Sequence, residues 1–391
     1  MEIKRVGVVG GGAMGAGIIQ TLSHSGVSVR FKDVSDELVG KCLGQVERIY
    51  ASAQKKGKMT EEEVKKGLSL IQGGTGDEGF DQVDFVIEAV PERIEIKKAV
   101  FGVLDKVCKP EAILASNTSS LSITEIGSFT SRSSRVVGMH WFNPPYVMKL
   151  IEIIPGLETS EEVVGNAIDF CKKLGKVPIR VKECAGFLVN RHLGIYINEA
   201  FFLLEEGEKP AVIDQGALQA GMPMGPLTLG DMVGWDIIYH SNQTLFEEFG
   251  ARFTTPKVLS QMVAEGRLGQ KAGRGIYATG SEKPEVSEAV SDPEKVRVLS
   301  NRLLFVMMNE GIRCLEEGVA SREDIDRALQ LGAGMPKGPL ARADEVGLDV
   351  LFQELDQLKN RYGERFRPSP LLRRKVKAGH LGKKSGKGLS I

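Results

Sequence analysis

One segment of this sequence occurs twice. The run VNRHLGIYINEAFFLLEEG, residues 189–207, returns as SNRLLFVMMNEGIRCLEEG, residues 300–318, and Asn190 and Arg191 thereby match Asn301 and Arg302. Two further stretches repeat in the same order, GMPMGPLTLGDMVGWD as GMPKGPLARADEVGLD and LGQKAGRG as LGKKSGKG. Repeats of about 100 residues are duplicated domains, not the short units of a solenoid. We expect two copies of one domain, packed against each other.

The duplicated part predicts helices. Strand patterns stop after KVPIRVKEC, and residues 187–207 form a mostly apolar helical pattern that ends at a glycine. Between the copies, TGSEKPEVSEAVSDP is polar and holds two prolines, which is typical of a linker. We therefore predict two all-α domains over residues 184–280 and 294–391, joined by a linker over 281–293.

The first 183 residues alternate between strand and helix patterns. The strand-like runs are RVGVVG, VSVRFKD, VDFVIEAV, AILAS, RVVGMH and KLIEII, and helical or turn segments separate them. This alternation favours a parallel sheet covered on both faces. The predicted fold class is α/β, with a Rossmann-type doubly wound parallel sheet over residues 1–183 followed by the two tandem all-α domains.

Composition excludes several classes of partner. Lys and Arg total 51 and are balanced by 51 Asp and Glu, so no overall field favours nucleic acid or an acidic membrane surface. No apolar run reaches the roughly 20 residues that span a bilayer, and the apolar segment at the amino terminus, MEIKRVGVVGGG, is too short and too rich in glycine for a signal peptide. The five cysteines are scattered without a CxxC pair, which predicts reduced thiols, no structural metal and a cytoplasmic location.

The amino-terminal run VVGGGAMGAG predicts a dinucleotide site. A buried strand leads into glycines with GxGxxG spacing, and a helix follows, so phosphates can meet the helix amino terminus. Asp33 ends the next strand, where a carboxylate accepts hydrogen bonds from a ribose diol and repels a 2′-phosphate, which favours NAD over NADP. Glycines that serve packing alone are the alternative. The predicted contacts in the loop are Gly10, Gly12, Ala13, Met14 and Gly15.

A second motif, VGMHWFNPPYVMKLIEII over residues 137–154, places His140 twelve positions before Glu152. Glu152 stands among apolar residues, where an unpaired carboxylate is costly, so it needs a buried partner. Pairing with His140 would fix the ring tautomer and stabilise its protonated form, as a general base for an alcohol proton requires. A purely structural imidazole is the alternative.

Two polar stretches, EAVPERIEIK and SNTSS, also follow strands of the predicted sheet. Ligands bind at this edge of such sheets. The alternative for SNTSSLSITEI is a loop that caps a short helix, with Thr118 or Ser119 as the N-cap.

In this order, GGGAMG, EAVPE, ASNTSSL, HWFNP with MKLIEI, GFLVNR and GMPMGP resemble the (S)-3-hydroxyacyl-CoA dehydrogenases over nearly the whole chain. The resemblance implies NAD-dependent, reversible oxidation of the 3-hydroxyl of an acyl-CoA, with His140 as the base and Glu152 orienting it. Ser119 and Asn190 would then hydrogen-bond the reacting oxygen in a cleft between domains. The further implied contacts are Asp33, Glu92, Lys97, Ser119, Asn143 and Lys271 with NAD, and Lys56 with the CoA phosphates.

The sequence departs from this family at Trp141-Phe142, where most relatives have two phenylalanines, a change expected to alter pocket shape only. The second helical copy has no dinucleotide domain of its own and is interpreted as structural. Single-copy relatives dimerise through this domain, so we expect an internal pseudo-dimer in a monomer, with a homodimer as the alternative. No hydratase-like segment is present, which predicts a dehydrogenase only.

Three alternatives remain open. One is a CoA-free hydroxy acid dehydrogenase of the gulonate and λ-crystallin branch, which shares the His-Glu pair. Another is a non-catalytic, crystallin-like protein that binds NAD. The third is a β-hydroxyacid dehydrogenase related to the phosphogluconate enzymes, in which a lysine takes the place of His140.

Overall fold

The computed structural model describes residues 2–277 and 292–389. The chain divides into two compact units, Met1–Cys184 and Ala185–Ile391. Most of the predicted linker lies outside the described residues. Pro293, which we assigned to the linker, is instead the first residue of a helix, because the Asp292 side chain accepts hydrogen bonds from the backbone of Glu294 and Lys295 and so caps it.

The first unit is built on one sheet of eight strands. The strands are β1 (Arg5–Val9), β2 (Ser28–Lys32), β3 (Ile71–Gly74), β4 (Phe85–Glu88), β5 (Ile113–Ser116), β6 (Val136–Trp141), β7 (Leu150–Pro155) and β8 (Val177–Arg180). Their order in the sheet is β3-β2-β1-β4-β5-β6-β7-β8. β4, β5 and β6 are buried along their whole length, as expected for strands covered on both faces.

Helices connect these strands and cover the sheet. They are α1 (Ala13–His24), α2 (Asp36–Lys55), α3 (Glu61–Ser69), α4 (Ile94–Val107), α5 (Ile123–Ser128) and α6 (Glu161–Lys173). The predicted α/β class and the parallel core of the sheet are confirmed.

Two strands run against the predicted direction. β7 is antiparallel to β6, and β8 is parallel to β7, so both run opposite to β1–β6. The reason is the connection, residues 142–149, which is shorter than the roughly dozen residues that a parallel crossover needs. The reversal brings the end of β6 opposite the start of β7.

The second unit contains the two helical copies, with matching elements in the described residues. The first copy consists of α7 (Val189–Glu205), α8 (Pro210–Gln219), α9 (Pro226–Val233), α10 (Trp235–Phe249) and α11 (Lys257–Ala264). The second consists of α12 (Pro293–Glu316), α13 (Arg322–Gly332), α14 (Pro339–Val346), α15 (Leu348–Tyr362) and α16 (Pro370–Lys377). α12 packs against both α7 and α8, so the copies form one body.

Each copy also contains the same buried anchor. Asp214 accepts hydrogen bonds from the backbone of Leu227 and Thr228 at the start of α9. Asp326 does the same for Leu340 and Ala341 at the start of α14. The carboxylates satisfy helix donors that have no partner within their own helix.

Of the helices in the described ranges, none combines the length and the apolar character needed to cross a bilayer.

Candidate active site

The glycine loop between β1 and α1 has the geometry that close approach of a dinucleotide requires. Gly10 has φ of 97°, in the left-handed region, and a Cβ on Gly15 would stand 1.9 Å from the Gly10 carbonyl oxygen. A Cβ on Gly12, by contrast, would meet nothing within 4 Å. Gly12 is the N-cap of α1, so the loop leaves open space where the helix amino terminus favours a phosphate.

Asp33 links the end of β2 to this loop. Its Oδ2 accepts a hydrogen bond from Gly11 N at 2.8 Å, and its Oδ1 accepts one from Val34 N at 2.7 Å. The carboxylate is therefore held beside the glycines, at the place where the ribose of a dinucleotide lies in this kind of fold. The loop and Asp33 together fit NAD.

His140 and Glu152 are directly opposite each other in the antiparallel pairing of β6 and β7. Their side chains are joined by a contact of 2.7 Å between Nδ1 and Oε2. His140 is 6% exposed and Glu152 is fully buried. The predicted contact between these two residues is thus present, and Glu152 orients the ring so that Nε2 lies on its other side.

Glu92 organises the turn after β5. Its Oε1 accepts hydrogen bonds from Thr118 Oγ1 at 2.6 Å, from Ser119 N at 2.8 Å and from Ser119 Oγ at 3.2 Å, and Ser120 contributes two more at 3.2 Å. Burial opposes ionisation of Glu92, but the positive charge of Lys97 and these hydrogen bonds outweigh it and lower the pKa of the carboxyl. Two predicted site residues, Glu92 and Ser119, are therefore in direct contact.

Lys97 lies deeper than its predicted role in binding NAD suggests. It is 1% exposed, and its Nζ is 2.7 Å from Glu88 Oε1 and 3.2 Å from Glu92 Oε2. Glu88 and Ser116 are also buried, and Ser116 Oγ donates to Glu88 Oε2 at 2.6 Å. We did not assign Glu88 and Ser116 to the site, although a carboxylate that ends a wholly apolar strand was a signal available in the sequence.

Asn117 connects the same turn to the strand that carries the histidine. Its Oδ1 accepts a hydrogen bond from Trp141 N at 2.9 Å. The stretch does cap a short helix, as the alternative expected, but the N-cap of α5 is Ser122 and neither Thr118 nor Ser119. Ser122 Oγ accepts a hydrogen bond from Glu125 N at 3.0 Å.

The segment 142–149, which contains Asn143, is tied to the sheet by a lysine. Lys176 Nζ donates to Pro145 O at 2.5 Å and to Met148 O at 2.8 Å. Burial lowers the pKa of Lys176 to about 8. The contact of Asn143 with NAD stays a prediction.

Three further predicted site residues are Lys56, Asn190 and Lys271. Lys56 is exposed directly after α2. Asn190 and Lys271 belong to the second unit, where Lys271 forms an ion pair with Asp236. The second copy repeats that pair as Lys384 with Asp349. The contact of Lys271 with NAD stays a prediction.

Comparison with known proteins identifies the family of both units. Residues 5–184 match "3-hydroxyacyl-CoA dehydrogenase, NAD binding domain". Residues 186–279 and 299–390 both match "3-hydroxyacyl-CoA dehydrogenase, C-terminal domain". The second match covers each helical copy in turn, in agreement with the duplication.

The chain also resembles a longer protein. It is 38% identical over 380 residues to a fatty acid oxidation complex subunit alpha of Vibrio cholerae, a match that covers 94% of this chain and 54% of that protein. The chain therefore spans about half the length of such relatives.

Two solved structures share the fold. A 3-hydroxybutyryl-CoA dehydrogenase of Escherichia coli superposes with a TM-score of 0.90 at 31% identity, covering 97% of this chain and 100% of that one. An (S)-3-hydroxybutyryl-CoA dehydrogenase of Ralstonia eutropha superposes with a TM-score of 0.69 at 41% identity, covering 71% and 99%. The predicted resemblance is confirmed: the chain belongs to the 3-hydroxyacyl-CoA dehydrogenase family, and residues 5–184 are its NAD-binding domain.

Proposed function

We propose that this chain is an NAD-dependent (S)-3-hydroxyacyl-CoA dehydrogenase that interconverts the 3-hydroxyl and 3-keto forms of an acyl-CoA. The observation that carries the proposal is the buried contact between His140 and Glu152, which lies in the same sheet as β1 and β2, the strands that lead into the glycine loop and Asp33. A lone buried imidazole would be an ordinary structural feature, but an imidazole paired with a fully buried carboxylate is suited to move a proton.

In the direction of oxidation, His140 Nε2 accepts the proton of the substrate 3-hydroxyl. Because Nδ1 faces Glu152, the carboxylate stabilises the imidazolium that results and holds the ring in one orientation. NAD, when bound, supplies the acceptor for the hydride that leaves carbon 3. In the direction of reduction, the same nitrogen returns the proton to the oxygen.

Ser119 and Asn190 are proposed to hydrogen-bond the reacting oxygen. Support for Ser119 comes from its place in the turn held by Glu92, after the strand next to β6. The proposed cofactor contacts are Gly10, Gly12, Ala13, Met14, Gly15, Asp33, Glu92, Lys97, Ser119, Asn143 and Lys271. Lys56 is proposed to meet the CoA phosphates.

The first test is oxidation of NADH, followed by absorbance, with acetoacetyl-CoA and in parallel with acetoacetate. Turnover of the thioester alone is expected. Turnover of the free keto acid alone would support the CoA-free alternative, and binding of NADH without turnover of either substrate would support the non-catalytic alternative. An acyl-CoA series of increasing chain length then defines the preferred substrate.

We also propose that the chain is a monomer whose two helical copies take the place of a dimer, and that it is cytoplasmic. The reciprocal contacts between the copies support the first point, and the scattered cysteines of the sequence support the second. Sedimentation equilibrium is expected to give the mass of one chain, 42.5 kDa. An obligate homodimer would contradict the proposal.

A further inference from the structure

We propose that Glu88 and Ser116 are positioning residues that hold Ser119 in place through Lys97 and Glu92. The inference rests on the proposed function, because it gives these two buried residues a part in the reaction at Ser119. They are the inner end of a series of polar contacts that begins inside the sheet and ends at the turn 118–120.

Glu88 is fixed from three sides. Its Oε1 accepts hydrogen bonds from Lys97 Nζ at 2.7 Å and from Val90 N at 2.8 Å, and its Oε2 accepts one from Ser116 Oγ at 2.6 Å. Glu88 and Ser116 are register partners at the ends of β4 and β5, and both are fully buried. The carboxylate thus has little freedom to move relative to either strand.

Lys97 links the fixed carboxylate of Glu88 to that of Glu92. Its ammonium lies between the inner carboxylate of Glu88 and the outer carboxylate of Glu92, and Lys97 itself is 1% exposed whereas the Glu92 side chain is 36% exposed. A buried ammonium with only one carboxylate would be drawn toward that single partner or toward water. Glu88 therefore sets how far Lys97 Nζ stands from Glu92.

Glu92 then fixes the position of residues 118–120, because its Oε1 accepts the hydrogen bonds that all three of these residues donate. Ser116 reaches the turn by a second route, since its Oγ accepts a hydrogen bond from Thr118 N at 3.2 Å. A displacement of Glu88 or Ser116 would be transmitted to Ser119 by both routes. Displacement of a reacting group by about 1 Å can reduce turnover by about a hundredfold.

A purely structural role is the competing explanation, because removing any buried polar group destabilises a protein. A double-mutant cycle separates the two roles. The variants Glu88→Gln and Ser116→Ala are made singly and each together with Ser119→Ala, and kcat and KM for acetoacetyl-CoA, the Kd for NADH and the thermal midpoint are measured. Ser23→Ala is the matched control, since Ser23 Oγ forms an equally buried hydrogen bond of 2.8 Å with Tyr50 OH in the same unit.

We expect Glu88→Gln to lower kcat about ten- to hundredfold, with a smaller change in the Kd for NADH. Ser116→Ala should lower kcat in the same direction, whereas Ser23→Ala should lower the thermal midpoint to a similar extent and leave kcat near the wild-type value. In the Ser119→Ala background, Glu88→Gln and Ser116→Ala should each change kcat by less than about twofold, because residues that act through a shared group are not additive.

The inference is overturned if the losses in kcat multiply with that of Ser119→Ala, or if Glu88→Gln and Ser116→Ala keep wild-type kcat. Should Glu88→Gln fail to fold, Ser116→Ala and its double variant decide the question. A wild-type chain that turns over neither acetoacetyl-CoA nor acetoacetate would instead overturn the proposed function, and this inference with it. If the chain turns over acetoacetate alone, kcat in the same double-mutant cycle is measured with acetoacetate, and the same outcomes decide the inference.

Discussion

Arg191 of α7 and Glu310 of α12 form a buried ion pair, with 2.6 Å between Nε and Oε1 and exposures of 0% and 1%. The equivalent residues form the opposite pair, in which Arg302 contacts Glu199. Each arginine also stacks on an equivalent aromatic ring, Arg191 on Phe249 at 4.1 Å and Arg302 on Tyr362 at 4.0 Å. Such reciprocity is the mark of an isologous two-fold interface, which here lies within one chain.

Removal of one partner from this interface should cost much of the stability of the second unit. We expect Glu310→Gln to lower the free energy of unfolding by about 3 kcal/mol, because it removes the more buried of the two carboxylates that pair with Arg191, the other being Glu317. Urea unfolding followed by circular dichroism measures the change. The control is Glu37→Gln, which removes the exposed pair with Lys41 and should have no measurable effect. Equal effects of the two variants would contradict the interpretation.

The pair in the first unit should instead control turnover. We expect His140→Gln to lower kcat at least about a hundredfold and to leave the Kd for NADH nearly unchanged, because the ring moves the proton and does not hold the cofactor. Glu152→Gln should give a smaller loss, since the base remains but its imidazolium lacks the carboxylate. Steady-state kinetics with acetoacetyl-CoA measure both.

Trp141→Phe is a suitable control for these variants. Trp141 adjoins His140 and is buried, and its indole Nε1 has no hydrogen-bond partner in the part of the chain that the structure describes. Phenylalanine therefore removes no hydrogen bond of that side chain, and kcat should stay near the wild-type value. A loss comparable with that of His140→Gln would indicate that packing beside the histidine, and not proton transfer, determines the rate.

Cofactor preference should depend on Asp33. We expect Asp33→Ser to raise the Kd for NADH about ten- to hundredfold, because hydrogen bonds to a charged group are worth about 1.5–3 kcal/mol. The variant should also narrow the difference between NADH and NADPH, since the carboxylate that repels a 2′-phosphate is gone. Fluorescence titration with both nucleotides measures the two effects. An unchanged ratio of the two Kd values would mean that another group selects the cofactor.

Glu92 predicts a pH dependence of stability. Burial raises the pKa of its carboxyl, but the charge of Lys97 and the hydrogen bonds of the turn lower the pKa by more, so that it lies below the ordinary 4.5. A depressed pKa means that the stabilisation is fully present above 4.5 and is lost as the pH falls through the lower, folded value. The thermal midpoint of Glu92→Gln should therefore lie below that of the wild type at neutral pH, and the gap should shrink in acid. A gap that is constant with pH would contradict this.

Some of the site could be predicted because single residues violated the pattern around them. Glu152 in an apolar strand required a buried partner, and the structure places His140 against it. The glycines of the first turn and Asp33 could be interpreted in the same way, since their spacing and order along the chain fit one known geometry.

Other features depend on contacts between segments far apart in the sequence. The contact of Lys97 with NAD stays a prediction, but its place between two glutamates was not predicted, because Glu88 and Glu92 approach it from the end of β4 and from the loop that follows. The reversed direction of β7 was likewise not predicted, since the short apolar run KLIEII is compatible with either direction. Ser122 was missed as a cap because Thr118 and Ser119, in the same stretch, are residue types that also suit an N-cap.

The reversal of β7 ties the chemistry to the alignment of two strands. Successive side chains of a strand point to opposite faces, so a slip of β7 by one residue against β6 would carry Glu152 away from His140 while most backbone hydrogen bonds of the pair could re-form. It would also bury a lone carboxylate among apolar groups. Glu152 thus selects the register of its own strand. The register that pairs the carboxylate with the catalytic histidine is also the register that avoids the free-energy cost of burying this carboxylate alone.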